Sequence, residues 1–211
     1  MLKPLNNIPL WEYKLSLDEL APVVAEVEAI QANNYANYTS ATHQLVGDIE
    51  HQYFLKDCVA DLDATVTREI NLWEAQANFL QTQNYNSSQH SITSLGAWVN
   101  FQHKGETNPL HSHGGILSWV LWLKIPYTHE DEQTHQKHLK QTQPFAGMFG
   151  MTYTNVLGNI ELAGWQLSKE MEGTLLLFPS KLKHCVYPYY STDDVRISLS
   201  GNYAFSTGNT Q

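Results

Sequence analysis

Two histidines separated by one residue form the part of this sequence best suited to chemistry. His111 and His113 lie in a short polar segment, 108–115, which precedes the apolar run 116–123. In an extended chain, residues two apart point to the same side, so both imidazoles can be directed at one point. Neutral imidazole is the commonest metal-ligating side chain. The pair therefore indicates a metal site, although such a pair also occurs in solvated loops.

A second stretch, 173–202, supplies further candidates far downstream. It is predicted to form three strands separated by turns, and His184 opens the middle strand. Arg196 and Ser198 share one face of the last strand. A third imidazole would complete a set of three nitrogen ligands, and the planar guanidinium of arginine suits a two-point contact with a carboxylate. The simpler alternative for Arg196 is a surface ion pair with a neighbouring aspartate.

The order and spacing of these motifs resemble the 2-oxoglutarate- and Fe(II)-dependent oxygenases. The motifs are Asn-Pro-x-His-x-His at 108–113, Leu-Ser-Trp-Val-Leu-Trp-Leu-Lys-Ile-Pro at 117–126, Leu-Phe-Pro-Ser-x-x-x-His at 177–184 and Arg-Ile-Ser at 196–198. Together they are similar to oxygenases of this class from marine bacteria and their phages. The similarity covers residues 93–205, with a weaker similarity over 42–60.

The resemblance implies that His111, His113 and His184 hold Fe(II) and leave positions open for 2-oxoglutarate and O2. The usual motif of the superfamily is His-x-Asp/Glu…His, and His113 stands where the carboxylate would be. This departure leaves two alternatives, a three-histidine site or a carboxylate supplied from elsewhere in the chain. A neutral third ligand makes the metal centre more positive and raises the chance that Zn competes for it.

The resemblance also implies a cosubstrate site. Arg196 and Ser198 would bind the distal carboxylate of 2-oxoglutarate, and Asn100 is expected to line the same pocket. Trp119 is the candidate for the substrate pocket. No catalytic residue is expected beyond the metal ligands.

The implied activity is that of a hydroxylase, similar to the prolyl hydroxylases, that acts on a small-molecule or peptidyl substrate. Two other functions remain open. One is a three-histidine metal dioxygenase of cupin type that does not use 2-oxoglutarate, and the other is a non-catalytic jelly roll that binds a metal or a ligand. The Arg196-x-Ser198 pair separates them, because neither alternative needs a carboxylate clamp.

The elements that must position these residues follow from hydrophobic periodicity. Ser16 and Glu19 form a capping-box pattern that predicts a helix over 17–32, and a second helix is predicted over 57–80. From residue 91 onward the pattern predicts about eight short strands, interrupted by a polar insertion over 129–143 that is expected to be a loop near the mouth of the site.

The predicted fold class is mainly β with flanking α. Strand periodicity alone predicts a sandwich or jelly roll, and the resemblance implies a double-stranded β-helix, a cupin-like jelly roll with the N-terminal helices packed on one sheet. We expect one domain over 1–211. Its predicted parts are an N-terminal strand and helices over 1–90, a jelly-roll core over 91–205 and a polar tail over 206–211.

Composition limits the partners. The chain has 211 residues and a formal net charge of −9 at pH 7, which disfavours nucleic acid as a partner. Its two cysteines, Cys58 and Cys185, give no disulfide framework, so we expect reduced thiols and a cytoplasmic protein. No signal-peptide core and no apolar run of about 18 residues is present, so no membrane association is expected. An exposed strand edge would allow a homodimer.

Overall fold

The computed structural model describes residues 9–83, 90–135 and 145–207. Within these ranges the strands are β1 (Trp11–Lys14), β2 (His51–Phe54), β3 (His90–Gln102), β4 (Asn108–His111), β5 (Leu117–Lys124), β6 (Phe149–Thr154), β7 (Ile160–Trp165), β8 (Thr174–Pro179), β9 (Lys183–Val186) and β10 (Arg196–Thr207). The helices are α1 (Leu17–Ala32), α2 (Val59–Ala77), α3 (Phe79–Thr82) and α4 (His129–His135). Short 3₁₀ helices lie at Thr42–Gln44 and Lys169–Met171.

The strands form two antiparallel sheets. The larger sheet has the order β1-β8-β5-β10-β3-β2, and the smaller sheet has the order β4-β9-β6-β7. The order interleaves strands that are distant in sequence, as in a jelly roll of the double-stranded β-helix type. This confirms the predicted fold class.

Alternation along β5 shows how the larger sheet builds a core on each of its faces. Leu117, Trp119 and Leu121 are buried in the cluster that also contains the helices α1 and α2. Val120 and Trp122 are buried in a second cluster with residues of β6 from the smaller sheet. Successive side chains of a strand point to opposite faces, so one strand serves both layers. The site described below lies between the two sheets.

The two long helices differ from their predictions only in detail. Helix α1 has the predicted bounds and its capping box, with the Ser16 side chain accepting from the Glu19 backbone. Leu17, the first of the apolar residues whose helical spacing predicts a buried face, is however 84% exposed. Helix α2 ends at Ala77 rather than at residue 80, because Asn78 has a left-handed backbone with φ of 50°.

Two predictions about the strand region are wrong in part. Two-residue alternation from residue 92 to 102 predicts that Leu95 shares the buried face of Ala97 and Val99, but Leu95 is 55% exposed. The reason is Gly96, whose φ of 100° breaks the alternation. The polar insertion begins as a helix, α4, and its Glu132 is only 1% exposed. Residues 136–143 of that insertion lie outside the described residues.

The remaining expectations concern cysteines and membranes. Cys58 and Cys185 are both buried and unpaired, as predicted. Among the helices of the described ranges, none combines the length and the apolar character that crossing a bilayer requires.

Candidate active site

Strand register brings two of the three predicted metal ligands together. His111 at the end of β4 lies directly opposite His184 of β9, and their ring centroids are 4.2 Å apart. His113 lies in the loop after β4, and its Nε2 is 3.2 Å from Nε2 of His184. One ligand atom from each histidine lies within 4.8 Å of the others. Nitrogen atoms about 2.1 Å from a shared metal ion would lie about 3 Å apart, so the 3.2 Å between Nε2 of His113 and Nε2 of His184 suits a common ion.

Backbone carbonyls fix the orientation of two of these rings. Nδ1 of His111 lies 2.7 Å from the carbonyl oxygen of Pro109, and Nδ1 of His184 lies 2.9 Å from that of Leu182. A carbonyl oxygen only accepts, so Nδ1 carries the proton in both rings and Nε2 keeps its lone pair. Ring orientation by a hydrogen bond on the far nitrogen is typical of metal-ligating histidines.

A network around the turn between β8 and β9 holds the loop that carries His113. The His113 backbone N–H donates to the carbonyl of Ser180 at 2.9 Å, and Nζ of Lys181 donates to the carbonyl of His113 at 3.2 Å. The Ser180 hydroxyl donates to the carbonyl of Gly115 at 2.7 Å. These contacts place the third imidazole without help from a regular strand.

Replacing Gly115 with alanine is expected to disturb this loop. Gly115 has φ of 79°, and an added Cβ would collide with the carbonyl oxygen of Tyr203. We expect a loss of roughly 1–3 kcal/mol in unfolding free energy, together with weaker metal binding. Chemical denaturation and a metal titration measure the two effects.

Gly114→Ala is the matched control for this prediction. Gly114 has open space where a Cβ would lie. Equal stability and equal metal affinity of the two variants would show that the fit of Gly115 against Tyr203 does not hold the loop.

Burial keeps the three histidines neutral. Burial, with a smaller contribution from the neighbouring His111, lowers the pKa of His184 to about 3 and that of His113 to about 4. Burial also lowers the pKa of His111 itself. Within the described ranges, this is the only group of three or more His, Cys, Asp or Glu side chains close enough to share a metal ion. It contains no carboxylate, so the donor set is neutral.

The lowered pKa values predict a pH-dependent stability for the metal-free protein. The unfolded chain binds protons at its histidines below a pH of about 6.5, whereas the folded site does not until a lower pH. The unfolding free energy is therefore expected to fall as the pH drops from 7 to 5, by about 1–2 kcal/mol for His184. Urea unfolding at the two pH values measures it, and His184→Gln should show a smaller difference. An equal difference in both proteins would contradict the lowered pKa.

The histidines line a small cavity of about 50 Å³ that opens to solvent on one side. Its apolar wall includes Leu45, Val46, Ile49, Trp98, Val120, Trp122, Phe149 and Phe178. Its polar wall, besides the histidines, includes Asn100, Gln102, Asn108, Arg196, Ser198 and Ser200. The cavity therefore combines the metal group with the arginine and serine that the sequence singled out.

Arg196 lies inside the protein and not on its surface. It is only 2% exposed, and the salt bridge of Asp193 is with Lys104. The alternative of a surface ion pair for Arg196 is therefore wrong. Among the described residues, no carboxylate lies within salt-bridge distance of its guanidinium.

Neutral acceptors surround the guanidinium. They are the Gln102 side chain, the Tyr127 hydroxyl and the backbone carbonyls of Gly147 and Tyr187. The bonds to the two carbonyls are long, at 3.2 and 3.3 Å. The rings of Tyr127 and Tyr189 also pack within 6 Å of the guanidinium carbon, at 5.7 and 5.5 Å. A buried positive charge without a counter-ion is unfavourable, so the site favours an anion that reaches it.

Asn100 and Ser198 lie side by side on the cavity wall. They are directly opposite in the pairing of β3 with β10. The Asn100 amide donates to the carbonyl and the hydroxyl oxygen of Ser198, at 3.3 and 3.4 Å. Trp119 also borders the cavity, but it is buried in the cluster that contains the helices α1 and α2.

Sequence reasoning missed three neighbours of these residues. The Trp98 ring lies edge-on to His113, with centroids 6.0 Å apart. Gln102 bonds to Arg196, and Tyr127 does so from the segment after β5. Trp98 and Gln102 alternate with Asn100 on β3, so the two-residue period could have identified them. Tyr127 follows Pro126 in an irregular segment, where no periodicity marks it.

Comparison with known proteins gives one family and a set of similar folds. A family model described as “Putative 2OG-Fe(II) oxygenase” matches residues 96–202, just over half of the chain. No curated protein matches the chain.

Three solved structures illustrate the likeness. A Pseudomonas putida prolyl-4-hydroxylase aligns with a TM-score of 0.55 at 16% identity, over 95% of this chain and 94% of that chain. A Trichoplax adhaerens prolyl hydroxylase, in complex with a peptide fragment of hypoxia inducible factor, aligns with a TM-score of 0.57 at 12% identity, over 93% and 83%. A viral collagen prolyl hydroxylase from Paramecium Bursaria Chlorella virus-1, in complex with 2OG, aligns with a TM-score of 0.52 at 11% identity, over 92% of this chain and 95% of that chain. At these identities the likeness shows the fold.

Proposed function

Because this chain belongs to the 2OG-Fe(II) oxygenase family, we propose that it is a hydroxylase that oxidises a C–H bond of a peptidyl or small-molecule substrate. The cofactors of the family are Fe(II) and 2-oxoglutarate, and O2 is the oxidant. The observation that carries the proposal is the shared cavity, which joins three convergent imidazoles to a buried arginine without a carboxylate partner.

His111, His113 and His184 would hold the iron. In His111 and His184, a backbone carbonyl bound at Nδ1 leaves the Nε2 lone pair available to the metal. Nε2 of His113 lies 3.2 Å from Nε2 of His184. When bound, iron and 2-oxoglutarate supply the oxidising chemistry, in which O2 gives one oxygen atom to the substrate and one to the succinate that forms with release of CO2. The protein's part is to present three neutral donors at one point.

Arg196 would bind the distal carboxylate of 2-oxoglutarate. Its two long bonds to backbone carbonyls are the weakest in its shell, so a carboxylate can replace them with charge-assisted bonds. The gain is large because the guanidinium is buried, where screening by water is weak. Gln102 accepts from Nε and Nη2 and Tyr127 accepts from Nη1, and these contacts keep the fork of the guanidinium fixed.

Apolar residues of the cavity would exclude water from the reacting groups. Trp122, Phe149 and Phe178 are each at most 2% exposed and line the same space. A dry wall strengthens the electrostatic contacts inside the cavity and limits side reactions. Val46 lines the cavity and is 57% exposed, so the cavity meets solvent beside it.

Peptidyl proline is our first substrate class. The apolar residues Leu45, Val46 and Ile49 form one side of the cavity and suit a small apolar side chain. The similar structures named above, which are prolyl hydroxylases by their titles, support the same class. The net charge of −9 disfavours a polyanionic substrate.

The test is turnover of proline-containing peptides by the iron-loaded protein in the presence of 2-oxoglutarate and O2. We expect succinate to form together with a peptide that has gained the mass of one oxygen atom. Oxygen uptake that does not need 2-oxoglutarate would favour the three-histidine dioxygenase instead. Metal binding with no consumption of 2-oxoglutarate, alone or with any candidate substrate, would favour a non-catalytic jelly roll.

A further inference from the structure

Three polar side chains form a row across adjacent strands of the larger sheet. Gln52 of β2 lies opposite Asn100 of β3, which lies opposite Ser198 of β10. Gln52 is fully buried, and it lies outside the part of the chain that the family model matches. We propose that Gln52 is a positioning residue for the cosubstrate: it locks the Asn100 amide and thereby turns the Ser198 hydroxyl toward the cavity. This inference rests on the proposed function, because it takes 2-oxoglutarate as the ligand.

The direction of each hydrogen bond in this row follows from one fixed acceptor. The backbone carbonyl of Ser198 lies 3.3 Å from the Asn100 amide, and a carbonyl only accepts, so Nδ2 of Asn100 must face it. The amide oxygen of Asn100 therefore faces the other way, toward Gln52. There it needs a donor, and Nε2 of Gln52 supplies it at 2.7 Å.

The same fixed direction decides what the Ser198 hydroxyl can do. Its oxygen accepts from Nδ2 of Asn100 at 3.4 Å, so its own proton is not needed for that contact. In the part of the chain that the structure describes, this hydroxyl donates to no other group. Ser198 lines the cavity two residues from Arg196, so its O–H is free to donate to a carboxylate that the arginine binds.

The arrangement has a cost that packing alone does not explain. With Nε2 committed to Asn100, Oε1 of Gln52 is buried without a partner among the described residues. An unsatisfied buried carbonyl costs about 1–3 kcal/mol of stability. A methionine would fill nearly the same space without that cost. The presence of an amide at position 52, despite this cost, is explained if the Nε2 donor of Gln52 is needed to hold Asn100.

The test compares Gln52→Met with the wild type in two titrations of the iron-loaded protein without oxygen. One ligand is 2-oxoglutarate, and the other is 2-oxobutanoate, which has the same keto-acid end but no distal carboxylate. Binding is followed by the visible charge-transfer band that forms when a keto acid binds Fe(II). Both titrations are then repeated in Ser198→Ala and in the variant that combines Gln52→Met with Ser198→Ala. The four proteins together give a double-mutant cycle.

We expect Gln52→Met to raise the Kd of 2-oxoglutarate about 3- to 10-fold and to leave that of 2-oxobutanoate unchanged. The effect should disappear in the Ser198→Ala background, which a purely structural role would not produce. Gln52→Asn, which keeps an amide but is one methylene too short, is the second variant in case Gln52→Met does not fold, and it should behave alike.

An unchanged Kd, equal weakening of both ligands, or additive effects with Ser198→Ala would each overturn the role of Gln52 and leave the proposed function standing. A wild-type protein that binds iron but gives no band with either keto acid would contradict the proposed function itself, and with it this role.

Discussion

Replacing His184 with alanine is expected to weaken Fe(II) binding by about 1000-fold or more and to abolish turnover. His184 is 4% exposed, lies opposite His111 in the strand pairing and approaches His113 within 3.2 Å. Its loss leaves two imidazoles, and even an outer-shell partner of a metal ligand is typically worth 10- to 100-fold in affinity. Iron content after equilibrium dialysis without oxygen measures the change.

His43→Ala is the matched control, because it removes an exposed imidazole from a short 3₁₀ helix. It should bind iron as the wild type does. Full iron binding by His184→Ala would contradict the metal centre, whatever the effect on stability, because two imidazoles alone should not retain the ion.

Replacing Arg196 with methionine is expected to weaken 2-oxoglutarate binding about 100-fold, with little change in iron affinity. Methionine keeps much of the apolar volume, so the main loss is the buried charge and its fork of donors. Truncating one partner of a buried, hydrogen-bonded charge pair typically costs about 2–5 kcal/mol, and a 100-fold change, about 2.7 kcal/mol, lies within that range. A titration with 2-oxoglutarate without oxygen measures it.

Lys104→Met removes one positive charge from the surface and serves as the control. Lys104 pairs with Asp193 at 3.2 Å, and both side chains are exposed. The Lys104→Met variant should therefore bind 2-oxoglutarate with the affinity of the wild type. If the two variants weaken binding equally, general electrostatic attraction and not a clamp at Arg196 explains the affinity.

Local sequence signals predicted the parts of the fold that depend on neighbours along the chain. The capping box at Ser16 gave the start of α1, and two-residue alternation gave most of the strand faces. They failed where one residue has an unusual backbone, as at Asn78 and Gly96, since a left-handed conformation interrupts any periodicity.

The predicted histidines lie together in the structure, but the strand pairing that brings them together could not be predicted from the sequence. The pairing of β4 with β9 joins residues more than seventy positions apart, and such register depends on the packing of whole sheets. Gln52 illustrates the same limit. It lies in a short strand after a polar stretch, and only its position opposite Asn100 reveals its contact with the site.

The charge environment of Arg196 was also beyond the sequence. Arginine two residues before serine suggested a clamp, but a surface ion pair with a neighbouring aspartate was the alternative. Burial and the ring of neutral acceptors distinguish the two, and both come from strands and loops remote in sequence.

One titration tests the central claim most directly, namely that the three histidines and Arg196 form a single site for Fe(II) and 2-oxoglutarate. The protein is loaded with Fe(II) without oxygen, and 2-oxoglutarate is added while the visible spectrum is recorded. We predict a charge-transfer band that saturates at one equivalent per chain, that is absent in His184→Ala, and that needs about 100-fold more ligand in Arg196→Met. A wild-type protein that binds iron but gives no band, or a band that neither variant changes, would contradict the account.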